Sequence, residues 1–146
     1  MSQLDGFFSL RTPRDLFAKL ESDFSRFKTA DATSAEAQYA AFDFFVTALH
    51  MTDWMSNVQG GSRSSHEAYP NGSLVYDLGN GAKHFRVKRE LHTTVSDTGS
   101  AGFFDPTFFD SAYFDVARLV IDLEDGTTVD ALDVAQRVLD HWRSVV

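Results

Sequence analysis

The apolar residues of this chain recur at helical spacing in four separate segments, and the first of these follows a clear helix start. Thr12 can cap the free backbone N–H groups, Pro13 suits the first helical position, and Asp15 favours the positive end of the helix dipole. The pattern predicts an amphipathic first helix that ends near Lys28. Its apolar positions are Leu16, Leu20, Phe24 and Phe27.

The second segment is apolar around most of its circumference, which is typical of a central helix. A capping box at residues 33–36, from Thr33 to Glu36, predicts its start, and the pattern continues to about Asn57. Its polar residues share one narrow stripe, because steps of three, four and seven bring residues to one side of a helix. Part of this stripe is expected to be enclosed. Its members are Asp43, Thr47, His50, Asp53 and Asn57.

The third segment, from Ser73 to Phe85, predicts a helix that contains two glycines. Gly79 and Gly81 each cost a helix about 1 kcal/mol relative to alanine. Glycine is expected at these positions either because the backbone lies close to the second helix or because the helix ends there. If the close contact lies at Gly81, the substitution Gly81→Val is expected to destabilise the fold by about 1–3 kcal/mol.

The period then changes from helical to alternating, which is typical of half-buried strands. Residues 85–95 predict a strand, residues 96–111 a long loop, and residues 113–123 a second strand. Residues 124–127 predict a hairpin turn before a short return strand, and Asp130 can cap a last helix. The chain is therefore predicted to be one domain of the α+β class, mainly α. We expect an antiparallel helical bundle with a small antiparallel β element inserted before the C-terminal helix.

Composition and charge favour a soluble cytoplasmic protein that works through protein contacts. The net charge of −8 opposes binding to RNA, to other nucleic acids and to anionic membranes. Absence of cysteine excludes disulfides and thiolate metal sites. Neither a signal peptide nor a membrane-spanning run is evident. The 14 phenylalanines exceed what one small core easily hides, so a homo-oligomer or a protein partner is expected. The arm of residues 1–11 is expected to pack Leu4, Phe7, Phe8 and Leu10 onto the body.

Two polar clusters lie inside apolar sequence, at residues 50–54 and 77–84, and we expect them to face each other on two packed helices. Together with His84, the residues His50 and Asp53 offer two imidazoles and a carboxylate, which is enough to begin a metal site. The preferred interpretation is structural, with His50 and Asp53 satisfying each other, or Trp54 and nearby backbone, inside the bundle. Neither a metal nor a cofactor is predicted. The candidate binding residues are His50, Asp53, Trp54, Asp77 and Arg86.

The second cluster holds candidate catalytic residues. Asn80 and His84 lie four residues apart and share a helix face, where a neutral histidine can act as an acid or a base. The arrangement resembles the HEPN family of small helical bundles, many of which are dimeric ribonucleases. Gly79 stands where that family has an arginine that positions or stabilises phosphate. The resemblance implies either a degenerate, non-catalytic member or a ribonuclease in which Lys83 or Arg86 supplies the missing charge.

Both clusters together are similar to a family of uncharacterised bacterial proteins that carry the motifs VTAxHxxDW and NGxKHF. The matching segments here are residues 46–54 and 80–85, and they lie in the middle third of the chain. This resemblance implies a shared fold, supports treating the two clusters as one site, and implies no established activity.

Three functions follow as hypotheses. The preferred one is a small intracellular, non-enzymatic protein that acts through protein contacts, as a homodimer or as a component of a defence or stress module. The second is a HEPN-like ribonuclease that uses His84 and Asn80. The third is a metal-dependent enzyme that uses His50, Asp53 and His84. The basic group around Arg86 is expected to be a solvated strand face, with RNA or phosphate binding as the alternative.

Overall fold

Helices dominate the computed structural model, which describes residues 5–60, 72–84, 95–101 and 118–146, with the backbone alone at 72–73, 83–84 and 100–101. The described residues form four helices and a three-stranded antiparallel sheet, and the sheet precedes the last helix. This is the predicted α+β class, mainly α. The elements are α1 Pro13–Thr29, α2 Ala35–Gln59, α3 Gly72–His84, β1 Val95–Ala101, β2 Arg118–Leu123, β3 Thr128–Asp130 and α4 Ala131–Val145.

The start of α1 is the capping arrangement that its sequence predicts. The Thr12 hydroxyl accepts a hydrogen bond from the Asp15 backbone N–H at 3.1 Å, and the Asp15 carboxylate accepts one from the Thr12 N–H at 3.0 Å. The Arg11 N–H also donates to this carboxylate, at 2.9 Å. These bonds lower the pKa of Asp15, with the Arg11 N–H as the largest cause.

The start of α2 differs from the prediction by one residue. Its N-cap is Ser34, whose hydroxyl accepts from the Ala37 N–H at 3.4 Å. Thr33 instead donates to the Asp31 carboxylate through its backbone N–H at 2.9 Å and its hydroxyl at 2.8 Å. The predicted capping box of Thr33 and Glu36 is therefore wrong, because the aspartate holds Thr33 in a turn before the helix.

The central position predicted for α2 is confirmed, since this helix contacts α1, α3 and α4. It contributes buried side chains along most of its length, among them Phe44, Phe45 and Met51. The helix α4 covers another side of the same core with the apolar face that its spacing predicts, and Trp142 is its largest buried residue. The Asp130 carboxylate caps α4 by accepting from the N–H groups of Leu132 at 2.8 Å and Asp133 at 3.2 Å.

One of the two glycines of α3 lies against α2. A Cβ added to Gly79 would lie 2.6 Å from the Leu49 Cβ and 3.1 Å from the Phe45 carbonyl oxygen. At Gly81 such an atom would meet no described atom within 4 Å. The predicted close approach of the two helices is therefore found at Gly79, and the destabilisation expected for Gly81→Val loses its basis.

The sheet confirms two of the predicted features and corrects a third. The strand β2 lies within the predicted second strand, and the turn to β3 is closed by the bond from the Leu123 N–H to the Thr127 carbonyl at 2.8 Å. Gly126 takes the positive φ of +87° that this turn requires. The strand β1, however, occupies residues 95–101, where most of the sequence predicts loop.

The strand β1 is not predicted from the sequence, because its residues are mostly small and polar and lack the alternation of apolar side chains that indicates a strand. Its backbone pairs with β2 from Val95 opposite Leu123 to Ala101 opposite Arg118, so tertiary pairing decides its conformation. The predicted strand at residues 85–94, the rest of the predicted loop and the start of the predicted second strand at 113–117 lie outside the described residues. None of the described helices combines the length and apolarity that crossing a bilayer needs.

Candidate functional site

The contact between α2 and α3 lies beside both predicted polar clusters. Gly79 packs against Phe45 and Leu49, and Leu49 directly precedes the first cluster on α2. Asn80, in the second cluster, follows Gly79 and is buried. The composite site of His50, Asp53, Asn80 and His84 stays a prediction, because the side chain of His84 is outside the described residues.

The structure describes the burial or the hydrogen bonds of several predicted site residues. Asp77 is buried, and its carboxylate accepts a hydrogen bond from the Val95 N–H at 2.9 Å, so it holds the first residue of β1 beside α3. His50, Asp53 and Trp54 are half-buried on α2. The side chains of Lys83 and His84, and all of Arg86, lie outside the described residues.

The described residues do not form a metal-binding group. No three histidine, aspartate or glutamate side chains among them are close enough together to hold an ion. The metal-dependent hypothesis also requires His84, so it stays a prediction.

A buried carboxylate between α1 and α2 is the polar feature that sequence reasoning missed. Asp23 is only 3% exposed, and both of its oxygens are bonded. Lys19 donates to it at 2.6 Å, Arg26 at 2.6 Å, and the Thr47 hydroxyl at 3.1 Å. The spacing in the sequence could have indicated this network. Lys19 lies four residues before Asp23 and Arg26 lies three residues after it, so all three share one side of the helix.

Arg26 extends this network to the surface. Its guanidinium bonds Asp43 on α2 at 2.9 Å as well as Asp23, and these two carboxylates raise its pKa, Asp43 being the larger cause. Asp43 and Thr47 belong to the predicted polar stripe, and the structure assigns this edge of the stripe to the contact with α1. The two cations of this network balance its two anions. The network therefore joins α1 to α2 and leaves the edge of α2 that faces α1 locally neutral.

An aromatic row occupies another side of α2, where the described residues leave it exposed. Tyr39 is 60% exposed and Phe42 is 52% exposed, while Ala35 is exposed and Val46 is half-buried. Steps of four, three and four place these residues on one side of the helix. We call Ala35, Tyr39, Phe42 and Val46 the α2 aromatic face.

A second exposed aromatic pair lies in the N-terminal arm. Phe7 and Phe8 are 64% and 78% exposed, with ring centroids 4.6 Å apart. Two hydrogen bonds of 2.8 Å between the backbones of Phe7 and Leu10 close a tight turn, in which Phe8 has a φ of +50°. The prediction that Phe7 and Phe8 pack onto the body is therefore wrong, because the arm turns back on itself before their rings reach the core.

Comparison of the chain with known family models, curated proteins and solved structures gave no match. The resemblances to the HEPN family and to the bacterial proteins with two shared motifs therefore stay predictions.

Proposed function

We propose that this chain is a small intracellular, non-enzymatic protein that acts through protein–protein contacts, and that it does so as a homodimer. The observation that carries this proposal is the α2 aromatic face, where Tyr39 and Phe42 leave more than half of their surface in water. Removing apolar surface from water favours a complex by about 25 cal/mol for each square ångström, from which the costs of association are subtracted.

The residue types of this face fit a contact surface. Tyrosine and phenylalanine are enriched at the centres of protein interfaces, and a row of apolar residues along one helix side is a common way of presenting them. The adjoining edge of α2 does not oppose association, since the charge of Asp43 is balanced by Arg26. An acidic partner is therefore repelled less strongly at this edge of α2 than the net charge of −8 alone would suggest.

A role as a component of a defence or stress module belongs to the same proposal, and the incomplete HEPN-like catalytic set favours it. Many HEPN proteins are dimers, and the absence of the family's arginine at Gly79 supports a non-catalytic member that keeps the association without the chemistry.

Multi-angle light scattering over a range of concentrations tests the proposal. We expect the wild-type chain to show the mass of two chains at high micromolar concentration, and the double substitution Tyr39→Ser with Phe42→Ser to show the mass of one. Both side chains are exposed, so circular dichroism should show an intact fold for the double variant.

Val58→Ser is the matched control for this experiment. Val58 is 65% exposed on the same helix, but it lies about a third of a turn away from the α2 aromatic face. We expect this variant to dimerise like the wild type. A wild-type chain that stays monomeric at high micromolar concentration would contradict the homodimer.

A further inference from the structure

We infer that the turn between β2 and β3 is a site of isoaspartate formation at Asp125 and Gly126, and that Thr127 restrains this reaction in the folded chain. In an isoaspartyl linkage the backbone runs through the side-chain carbonyl group of the aspartate instead of its main-chain carbonyl group. The inference is independent of the proposed homodimer, because no residue of α2 takes part in it.

The reaction joins two groups that are neighbours in every Asp–Gly pair. The backbone nitrogen of Gly126 attacks the side-chain carboxyl carbon of Asp125, and an N–C bond forms. The bond from that carbon to the carboxyl hydroxyl breaks, and the hydroxyl leaves with the amide proton as one water molecule. Water then opens the resulting succinimide ring at either carbonyl group, and opening at the main-chain carbonyl carbon of Asp125 leaves the isoaspartyl linkage.

Access to both residues favours the reaction at this turn. Asp125 and Gly126 are exposed, so water reaches them. A Cβ added to Gly126 would meet no described atom within 4 Å, which leaves room for the ring beside it. Glycine itself has no side chain that would hinder the attack of its nitrogen. What slows the reaction must therefore come from the hydrogen bonds of the turn.

Two hydrogen bonds from Thr127 hold the Asp125 carboxyl group in its unreactive form. One carboxylate oxygen accepts from the Thr127 hydroxyl at 2.6 Å and from the Thr127 backbone N–H at 2.9 Å. These bonds lower the pKa of Asp125, with the hydroxyl as the largest cause. An ionised carboxylate resists attack by the nitrogen, since it lacks the hydroxyl that leaves as water. Thr127 thus keeps this group charged and bonded away from Gly126.

The backbone of the same turn restrains the attacking nitrogen. Gly126 donates its N–H to the Leu123 carbonyl at 3.0 Å, and the Leu123 N–H donates to the Thr127 carbonyl at 2.8 Å. The nitrogen gives up its proton in the reaction, so its hydrogen bond to Leu123 has to break. An unfolded chain has neither restraint, and we expect it to be modified faster than the folded chain.

Isoaspartate at this position would alter the sheet beside the last helix. The linkage adds one carbon atom to the backbone between β2 and β3, which pair from Asp122 opposite Thr128 to Val120 opposite Asp130. Asp130 is also the N-cap of α4. The restraint at Thr127 therefore protects both the register of the two strands and the start of a helix that contributes to the core.

Incubation in water enriched in the heavy oxygen isotope tests the inference, because each opening of the succinimide adds one heavy oxygen atom to the chain. Digestion in ordinary water, followed by mass spectrometry, measures the label at Asp125. Thr127→Val removes the hydroxyl and keeps the branched shape, and we expect it to raise the rate in the folded chain about fivefold, the effect of losing one hydrogen bond. In concentrated urea we expect wild type and variant to react equally, and both faster than the folded wild type.

Thr128→Val is the matched control, since Thr128 is also exposed but its hydroxyl donates to Asp122, at 2.7 Å. We expect this variant to keep the wild-type rate at Asp125, and Thr127→Ser to keep it too, because serine retains the hydroxyl. A second Asp–Gly pair, at residues 5 and 6 in the N-terminal arm, is an internal reference in every sample, and Thr127→Val should leave its rate unchanged.

Several results would overturn the inference. Absence of label at Asp125 in urea would show that the site does not react, and equal rates in urea and in the folded wild type would show that the fold does not restrain it. The comparison of folded and unfolded wild type decides the matter even if Thr127→Val does not fold. A variant Thr127→Val with native circular dichroism and the wild-type rate would remove Thr127 from the restraint. So would Thr128→Val reacting as fast as Thr127→Val, because loosening of the hairpin would then be the cause.

Discussion

At the scale of single residues, Asp23 shows how a buried charge is made compatible with an apolar interface. Its carboxylate is enclosed, yet it is bonded by Lys19, Arg26 and Thr47, so none of its oxygens loses hydration without compensation. The side chains of Lys19 and Arg26 are 41% and 50% exposed, so only the anion is almost fully removed from water. The arrangement fixes the position of α2 against α1 and, through Asp43, the flank of the α2 aromatic face.

Alanine substitutions at Gly79 and Gly81 are expected to change the free energy of unfolding in opposite directions, although the two residues are only two positions apart on one helix. Alanine at Gly79 would bring its Cβ within 2.6 Å of the Leu49 Cβ, an atom attached to the α2 backbone. We expect Gly79→Ala to lower the free energy of unfolding by about 1–3 kcal/mol through overpacking, less the gain of up to about 1 kcal/mol from helix propensity.

Gly81→Ala is the control for that substitution, because the added methyl group meets no described atom within 4 Å. We expect it to raise the free energy of unfolding by up to about 1 kcal/mol. Urea denaturation of the three proteins measures both effects. Equal stabilities for the two variants would show that α3 does not approach α2 at Gly79.

At the scale of elements, the ends of helices were the features that sequence predicted best, because capping is a local interaction. Thr12 and Asp130 cap the helices that follow them, as predicted, and the error at Thr33 arose from another local interaction, the competing carboxylate of Asp31. The strand β1 could not be predicted, since its conformation depends on β2, which lies far along the chain. Asp23 was missed for the same reason, because its burial depends on Thr47 of another helix.

The cap of α1 should make the stability of the fold depend on pH in the acid range. Hydrogen bonds from the backbone N–H groups of Arg11 and Thr12 stabilise the charged Asp15 carboxylate and lower its pKa from the ordinary value of 3.8. A lowered folded pKa means that the contribution is complete above the unfolded pKa, and that it is lost as the pH falls through the folded value. We expect the melting temperature of the wild type to drop below about pH 4 for this reason.

The variant Asp15→Asn isolates that contribution, since its side chain keeps its size and cannot ionise. Thermal melts followed by circular dichroism from pH 6 to pH 2 should show the wild type above the variant at pH 6, with a difference that shrinks toward pH 2. A difference that stays constant across this range would mean that the charge of Asp15 contributes nothing to the cap.

At the scale of the whole molecule, the net charge and the exposed aromatic surface both agree with the proposed function. An acidic chain repels nucleic acid, while its exposed aromatic rows at Tyr39 with Phe42 and at Phe7 with Phe8 offer surface that another protein can cover. The fold class followed from the periodicity of the sequence, but these rows did not. Periodicity predicts which side of a helix is apolar, whereas only the packing of all the elements decides which apolar side is left uncovered.

The ribonuclease hypothesis differs from the proposed function in one measurable outcome. An active nuclease needs His84 as the acid or base, with Asn80 beside it, but Asn80 is only 9% exposed and the chain repels phosphate overall. We therefore expect mixed RNA incubated with the purified chain to remain intact, and the variant His84→Ala to give the same result. Light scattering on the same samples should show the dimer for both proteins, because His84 lies outside the α2 aromatic face. Cleavage by the wild type that His84→Ala abolishes, with the dimer unchanged, would show that the association serves a nuclease and would replace the non-enzymatic proposal.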